Sequence, residues 1–321
     1  MNKIGKIKSK DSFLIDKNGK KIILKGFSIA DPFKLKNKDK QDVKKIIEEI
    51  ANTGANVVRI PIKPSLWQAV PDFLRLYIDD IVQECKSKNI YCVLDWHAIG
   101  NPIKNETRLK EKFYEVNGKR FYDYEVNPDI LKKAWKEISE RYGKEPHTIF
   151  EIFNEPAPGE KNIERMSLSA LYWKDWKKEV ETVIKIIRKK SKNLILISPI
   201  KWAYDLSKVA EDPLKDENIA YSVHPYPIHT DWKENFGKIF GKYPIVVTEW
   251  AFKEKTNEDF LRATKEDYGN PILEYLDQKS ISWIAWCYDS EWGPKILNSF
   301  KGNDYTEWGK FIVNKLRLKK R

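Results

Sequence analysis

The chain has 321 residues, of which 41% are hydrophobic and 33% are charged, and its formal net charge is +12. Its 12 Trp, 15 Tyr and 14 Phe residues exclude a disordered chain, and no apolar run is long enough to span a membrane. Three cysteines, Cys85, Cys92 and Cys287, form neither a disulfide framework nor a zinc motif, which favours a soluble globular protein whose cysteines are small buried side chains.

Short, nearly continuous apolar runs recur along the chain and predict strands that are buried on both faces. In chain order these strands are predicted at 22–29, 56–62, 91–97, 148–155, 194–199, 219–226, 244–250 and 282–288. Amphipathic segments between them predict helices at 39–52, 73–88, 128–142, 168–190, 202–210, 232–240, 272–279 and 304–316. Eight such alternations, with no glycine-rich turn after the first strand, favour a (β/α)8 TIM barrel over an open sheet.

The chain contains no linker, and we therefore expect one domain over residues 1–321. Residues 1–21 contain an Asn18-Gly19 turn and predict an N-terminal β-hairpin at the bottom of a barrel formed by residues 22–321. Long segments follow the third, fourth and eighth strands, at 98–127, 156–167 and 289–303. In a TIM barrel such loops gather at the C-terminal face, where active sites lie.

Polar side chains recur at the ends of the predicted strands, where burial without a partner is costly. They are Arg59, His97, Asn154, Glu155, His224, Tyr226 and Glu249. Because the carboxyl ends of barrel strands meet at one mouth, these residues predict a functional site.

Glu155 and Glu249 form a carboxylate pair of the kind that glycosidic cleavage requires. One carboxyl protonates the leaving oxygen, and the other, ionised, attacks the anomeric carbon. We expect Arg59 to keep Glu249 ionised and Tyr226 to donate a hydrogen bond to the same carboxylate. Asn154 is expected to bind the sugar 2-hydroxyl.

The remaining aromatic and imidazole groups have several interpretations. His97 and His224 are expected to bind sugar hydroxyls or to orient Glu155, although His97 could equally be a core histidine. His97 with the two glutamates could also form a metal site. Cleavage by two carboxylates needs no metal, so we expect none, and we expect Trp286 to offer its ring face to a sugar.

Other residues receive no catalytic role from their pattern. Glu151 has the same strand parity as Glu155 and is expected to be a structural charge that needs a partner. His147 and His229 are assigned to loops without a role. The direction of Trp283 stays open.

The segments VRIPI, LDWH, IFEIFNEP, VHPYP, VVTEW and WIAW occur in this order over nearly the whole predicted barrel. This combination resembles glycoside hydrolase family 5, the cellulase-like retaining enzymes of clan A. The resemblance implies Glu155 as the acid/base and Glu249 as the nucleophile. It also implies that the two glutamates are surrounded by Arg59, His97, Asn154, His224, Tyr226 and Trp286. Trp202 is similar to an aromatic residue that many members place on the leaving-group side.

The resemblance implies an endo-β-1,4-glucanase, or cellulase, that acts by double displacement. A β-mannanase and a hydrolase of mixed specificity for glucomannan, xyloglucan or lichenan stay open. The segment 98–127 could close one end of the cleft and favour exo action. A non-catalytic carbohydrate-binding barrel is disfavoured because both glutamates are present.

The expected partner is therefore a β-linked polysaccharide or oligosaccharide, with no cofactor, no membrane and no nucleic acid. The lysine clusters lack an accompanying aromatic motif and are typical of a charged, heat-adapted surface. We expect a thermostable monomer. A polysaccharide substrate favours secretion, whereas no signal peptide is visible in the first residues, so a cytoplasmic location stays open.

Overall fold

The computed structural model describes residues 4–159 and 170–317, and within them sixteen strands form one barrel and three small sheets. In chain order the strands are β1 (Lys8–Lys10), β2 (Phe13–Ile15), β3 (Lys21–Ile22), β4 (Lys25–Ile29), β5 (Val57–Ile62), β6 (Tyr91–Trp96), β7 (Ile99–Asn101), β8 (Glu106–Thr107), β9 (Phe113–Val116), β10 (Lys119–Tyr122), β11 (Thr148–Glu151), β12 (Glu155–Pro156), β13 (Ile195–Ile197), β14 (Ile219–Val223), β15 (Ile245–Val247) and β16 (Ser282–Tyr288).

Eight of these strands form the barrel in chain order, namely β4, β5, β6, β11, β13, β14, β15 and β16. All neighbouring pairs are parallel, and the pairing of β16 with β4 closes the sheet. The predicted (β/α)8 architecture is confirmed. The register places Asp95 of β6 beside Glu151 of β11, so two carboxylates lie at the same level of the barrel.

Helices separate the barrel strands and cover their outer faces. They are α1 (Val43–Asn52), α2 (Pro64–Ala69), α3 (Asp79–Ser87), α4 (Pro128–Tyr142), α5 (Trp173–Arg188), α6 (Ile200–Ala203), α7 (Ser207–Glu211), α8 (Trp232–Gly237), α9 (Asn270–Lys279) and α10 (Glu307–Arg317).

The helix bounds depend on capping and differ most where no clear cap is present in the sequence. The prediction for α4 agrees at both ends, because Asn127 caps the helix and Pro128 occupies its first position. The predicted helix 168–190 is shorter as α5, and its residues 168–169 lie outside the described ranges, as do residues 160–167 of the predicted loop. The predicted helix 202–210 is divided into α6 and α7.

Two apolar cores hold the fold together. One lies inside the lower barrel and combines Leu14 of the N-terminal sheet with strand residues such as Val93 and Leu196. The other lies between the strands and the helices and contains large side chains such as Trp135 and Trp176, both fully buried. Burial of this much apolar surface is the main contribution to stability.

The predicted N-terminal hairpin is present as β2 and β3, and β1 extends it to three antiparallel strands. Asp16 accepts hydrogen bonds from the backbone of the turn, where Gly19 has a φ of 77°. Ser9 of β1 donates to Asn218, just before β14, which fixes this sheet at the bottom of the barrel. The predicted first strand, 22–29, is therefore shared between the hairpin and β4.

The insertion 98–127 forms two small sheets at the opposite end. In one of them β7 pairs with both β8 and β12. Gly100 of β7 has a φ of 140°, and a Cβ at this position would lie 2.3 Å from the backbone oxygen of Glu106. Glycine thus allows β7 and β8 to approach each other. In the other sheet, β9 and β10 form an antiparallel hairpin.

Candidate active site

Arg59 of β5 is fully buried and donates to side chains from several strands. Its Nε lies 2.5 Å from Oε2 of Glu151, and its Nη1 lies 2.6 Å from Oε1 of Glu249. Its Nη2 lies 2.8 Å from Oδ1 of Asn154 and 3.0 Å from Oδ2 of Asp95. The forked guanidinium suits this position because its donors diverge toward separate acceptors.

Three carboxylates around one guanidinium leave an excess of negative charge in the barrel. Burial raises the pKa of Asp95 to about 7, against the attraction of Arg59. Burial also raises the pKa of Glu151 against the same attraction. Burial opposes the charge of Arg59, but the three carboxylates together raise the pKa of this guanidinium well above its ordinary value. Near neutral pH, this cluster therefore favours retention of a proton on its buried carboxyls.

Glu249 lies just after β15 and is 5% exposed. Besides its contact with Arg59, its Oε2 accepts a hydrogen bond of 3.0 Å from the Tyr226 hydroxyl. Burial and the nearby negative charge of Glu249 raise the pKa of Tyr226 well above its ordinary value, so the hydroxyl remains a donor. The structure thus brings both predicted partners to Glu249, and both donate hydrogen bonds to its carboxyl group.

Glu155 lies on β12 and not on a barrel strand. The predicted strand 148–155 is therefore wrong in its last part, since β11 ends at Glu151. The backbone N–H of Glu155 donates to the carbonyl of Ala98, 3.1 Å away, which joins this segment to the insertion after β6. A small separate sheet therefore positions this carboxyl at the mouth of the barrel.

The environment of Glu155 favours its neutral form. Burial raises its pKa to about 7, while the neighbouring His97 ring and the Arg59 guanidinium oppose this increase. Its Oε1 lies 3.0 Å from Nδ1 of His224, whose Nε2 lies 3.0 Å from the Thr248 hydroxyl. Burial lowers the pKa of His224 to about 4, so this ring is neutral at pH 7. A carboxyl with a pKa near 7 can both donate and recover a proton.

His97 lies beside the two carboxylates and is oriented by Asp95. Its Nδ1 lies 2.6 Å from Oδ2 of Asp95. Burial lowers the pKa of His97 to about 4, so the ring is neutral at pH 7. Because Nδ1 is engaged with Asp95, Nε2 is the nitrogen that remains for contact with a ligand.

The two candidate catalytic carboxylates are close together. One ligand atom from each of Glu155, His224 and Glu249 lies within 4.8 Å of the others. Retaining glycosidases hold their carboxyl groups about 5–5.5 Å apart, whereas inverting enzymes leave about 6.5–9.5 Å for a water molecule. The spacing here fits attack by one carboxylate.

The same three residues form the one group in the described ranges that could hold a metal ion, with His224 in the place expected for His97. Arg59 already places a full positive charge against Glu249. A second cation would be repelled by this guanidinium, so the donor set fits a metal poorly.

Trp286 of β16 lies beside His97. Its ring is nearly parallel to that of His97, with an angle of 7° and a centroid distance of 5.7 Å. Trp292 stacks at 5.9 Å, and Lys63 lies 5.0 Å from the Trp292 centroid. Trp283 packs edge-on against Trp250 in the core and is 1% exposed, so it does not belong to the site.

Trp202 and Glu155 line the same cavity of about 530 Å³. The backbone of Trp202 is left-handed, with a φ of 56°, and its side chain is 38% exposed. The guanidinium of Arg108 lies 5.4 Å from the centroid of its ring. The predicted leaving-group aromatic is thus next to the predicted acid/base.

His147 and His229 both lie in loops, as the sequence analysis expected. His229 lines the cavity beside Glu155, and its ring stacks on Tyr204 with a centroid distance of 3.5 Å. His147 is fully buried, and its Nε2 lies 2.9 Å from the carbonyl oxygen of Val82. The sequence did not indicate the place of His229 in the cavity wall.

Three other contributors were missed: Asp95, Thr248 and Arg108. Asp95 could have been found from the segment LDWH, because residues two apart on a strand point to the same side and His97 faces the mouth. Glu151 was expected to need a partner, and Arg59 is that partner. All three cysteines are buried and free, as expected.

The sequence matches the family model described as cellulase (glycosyl hydrolase family 5) over residues 15–291. An endoglucanase of Clostridium saccharobutylicum is 27% identical over 96% of this chain and 64% of its own length. The cellulase CelDZ1 of a Thermoanaerobacterium species is 26% identical over 72% of this chain and 57% of its own length. The chain thus spans less than two thirds of these relatives.

Solved structures agree with this match. The β-glucanase SdGluc5_26A of Saccharophagus degradans, crystallised with cellotetraose, is 28% identical and has a TM-score of 0.87. The alignment covers 99% of this chain and 94% of that one. The catalytic domain of the Thermobifida fusca endoglucanase Cel5A shares the fold at 17% identity, with a TM-score of 0.77 over 98% of this chain and 97% of that domain.

Proposed function

The chain belongs to glycosyl hydrolase family 5, and from this membership and its site we propose that it is a retaining endo-β-1,4-glucanase with a single catalytic domain. One observation supports the proposal most strongly. Two carboxyl groups lie within 4.8 Å of each other in opposite environments, since Glu155 has a pKa of about 7 and Glu249 is held by Arg59. Separate protonation states are what double displacement requires.

In the first step of this proposal, the Glu249 carboxylate attacks the anomeric carbon and forms an ester bond to it. Glu155 gives its proton to the glycosidic oxygen, and the bond to the leaving sugar breaks. Arg59 and Tyr226 hold Glu249 so that one oxygen faces the carbon. Positioning of this kind lowers the barrier because the reacting atoms are already aligned.

In the second step, Glu155, now ionised, takes a proton from water. The water oxygen attacks the anomeric carbon, and Glu249 leaves as a carboxylate, so the configuration is retained. His224 contacts Glu155 through Nδ1 and stays neutral, so it does not compete for the proton at pH 7. The two carboxyls supply both steps, and the scheme needs no cofactor.

The remaining site residues are proposed to bind the substrate. Asn154 is fixed by Arg59 and is proposed to bind the 2-hydroxyl of the sugar that is attacked. Nε2 of His97 is proposed to accept a hydrogen bond from another hydroxyl. Trp286 is proposed to support the sugar ring on the glycone side, and Trp202 to support the leaving sugar.

The choice of β-1,4-glucan rests on the names of the similar proteins, which are endoglucanases and cellulases, and on the cellotetraose in one similar structure. Within the described ranges no helix is long and apolar enough to span a membrane. We propose that the enzyme is secreted, because its polymeric substrate lies outside cells, and that it acts as a monomer, because one chain supplies every residue of the described site.

A panel of polysaccharides tests this proposal. Carboxymethylcellulose, lichenan, glucomannan, galactomannan and xyloglucan are compared by initial rate and product length. We expect the fastest cleavage on the β-glucans, with oligosaccharides of mixed length as products. Faster cleavage of galactomannan would instead indicate a mannanase, and release of one small sugar would indicate exo action. An α-configured first product would exclude retention.

A further inference from the structure

A cavity of about 530 Å³ lies beside Glu155, and neither Trp286 nor Trp292 is among the residues that line it. The acid/base must face the leaving group, so under the proposed function this cavity receives the leaving group and later the attacking water. Its walls combine the insertion after β6 with segments that follow β13, β14 and β15. Its surface chemistry therefore determines which leaving groups and acceptors fit.

Large apolar side chains are exposed in this cavity. Trp202 is 38% exposed, Ile228 is 59% exposed and Phe260 is 39% exposed. The N–H of Ile228 donates to the carbonyl of Phe260, and the ring of Tyr226 packs edge-on against Phe260 with a centroid distance of 5.4 Å. Exposed apolar patches with a defined shape mark binding sites.

The polar side chains that line the same cavity already have partners. Nη1 of Arg108 donates to the carbonyls of Pro158 and Gly159, and its guanidinium plane covers part of Trp202. His224 lies between Glu155 and Thr248, and His229 stacks on Tyr204. An aromatic ring in this cavity would bury its surface against the exposed side chains of Trp202, Ile228 and Phe260.

From this arrangement we propose that the cavity binds aromatic alcohols as acceptors and as leaving groups, so the enzyme transfers glycosyl units to them in addition to water. The inference rests on the proposed function, because it uses the same glycosyl ester on Glu249. The alcohol oxygen forms a bond to the anomeric carbon, and the bond from that carbon to Glu249 breaks. Glu155 takes the alcohol proton, and Glu249 leaves as a carboxylate.

The test compares how much of the glycosyl ester on Glu249 reacts with each of two alcohols. The full chain cleaves cellotetraose in the presence of equal concentrations of 2-phenylethanol and ethanol, and mass spectrometry quantifies the two alkyl glycosides. Both are primary alcohols, and they differ in the aromatic ring. We expect the phenylethyl product to exceed the ethyl product roughly tenfold or more, because burial of the ring strengthens binding.

Two cavity variants and one control locate the effect. Ile228→Asn and Phe260→Asn should each lower the product ratio by roughly threefold to tenfold, because each replaces apolar wall with an amide. Leu76→Asn is the control, since Leu76 is 36% exposed on a helical segment outside the cavity, and its ratio should match the wild type.

A product ratio near one in the wild-type chain overturns the inference, whether or not the variants fold. A high ratio that both cavity variants retain overturns it as well, because the preference would then arise elsewhere. If cellotetraose is not cleaved at all, the proposed function itself fails. Hydrolysis of cellotetraose without any preference for the aromatic alcohol leaves the proposed function intact and refutes this inference alone.

Discussion

Nη1 of Arg59 lies 2.6 Å from Oε1 of Glu249, inside the barrel, where Arg59 is completely buried. The contact fixes one oxygen of the Glu249 carboxylate. It thereby sets the direction from which this carboxylate would attack the anomeric carbon. Because Arg59 also binds Glu151 and Asn154, it does not depend on Glu249 for its own position. Removal of the Glu249 carboxylate should therefore affect chemistry more than folding.

Glu249→Ala is predicted to lower kcat on carboxymethylcellulose by on the order of 10⁴-fold or more, since no other group can form the glycosyl ester. Affinity for cellotetraose, measured by calorimetry, should change by less than about tenfold. Glu258→Gln, an exposed substitution, should keep full activity. A Glu249→Ala variant with near-normal kcat would refute the nucleophile assignment.

Much of this site follows from the sequence because parallel strands bring their carboxyl ends together. His224 and Glu249 follow the ends of β14 and β15, whereas Arg59 lies within β5 and not at its end as predicted. A buried charge at any of these places needs a partner nearby. The positions of these residues in the sequence therefore predict that their side chains meet at the mouth of the barrel. Strand parity also predicts that Glu151 points inward, where it meets Arg59.

Features set by nonlocal pairing were beyond the sequence analysis. Glu155 lies on β12 because the insertion after β6 supplies a pairing strand, and an apolar run cannot show where a chain changes sheets. His229 and Arg108 reach the cavity from loops whose paths depend on tertiary contacts. For the same reason, the predicted first strand at 22–29 included the end of the hairpin as well as β4, because the apolar run does not show where one sheet ends and the next begins.

The pH dependence of kcat/KM should show a basic limb near pH 7. Glu155 must be protonated to assist the leaving oxygen, and its pKa is about 7. Above this pH the ionised fraction rises and kcat/KM should fall about tenfold per pH unit. A rate on cello-oligosaccharides that stays constant from pH 5 to 9 would contradict the acid assignment. Aryl cellobiosides with very good leaving groups need less protonation and should show a weaker limb.

Trp286→Ala is predicted to raise KM for cello-oligosaccharides about tenfold, with a smaller effect on kcat. The ring extends the aromatic wall formed with His97 and Trp292, and its loss removes apolar contact with a sugar face. Trp286→Phe keeps a flat ring and should retain most of the affinity. Unchanged KM and kcat in the alanine variant would argue against a sugar platform.

Glu155→Gln should stabilise the fold at pH 8 while it lowers activity. The pKa of Glu155 is 4.5 ordinarily and about 7 in the folded chain, so between these values the folded state binds more protons than the unfolded state. Stability contributed by this group therefore falls as pH rises from about 4.5 to 7, and it stays reduced above pH 7. A neutral amide removes this cost of about 3 kcal/mol, and it can still hydrogen-bond to His224.

Thermal unfolding at two pH values checks the sign. At pH 8 the Tm of Glu155→Gln should exceed that of the wild type by several degrees, whereas at pH 4, below both pKa values, the carboxyl is mostly neutral and the difference should be small. The exposed substitution Glu258→Gln should shift Tm little at either pH. An equal shift at both pH values would mean that packing, and not the buried charge, separates Glu155 from glutamine. A lower Tm for Glu155→Gln at pH 8 would mean that the ionised carboxylate is stabilised by its neighbours, and the acid/base assignment would lose its electrostatic basis.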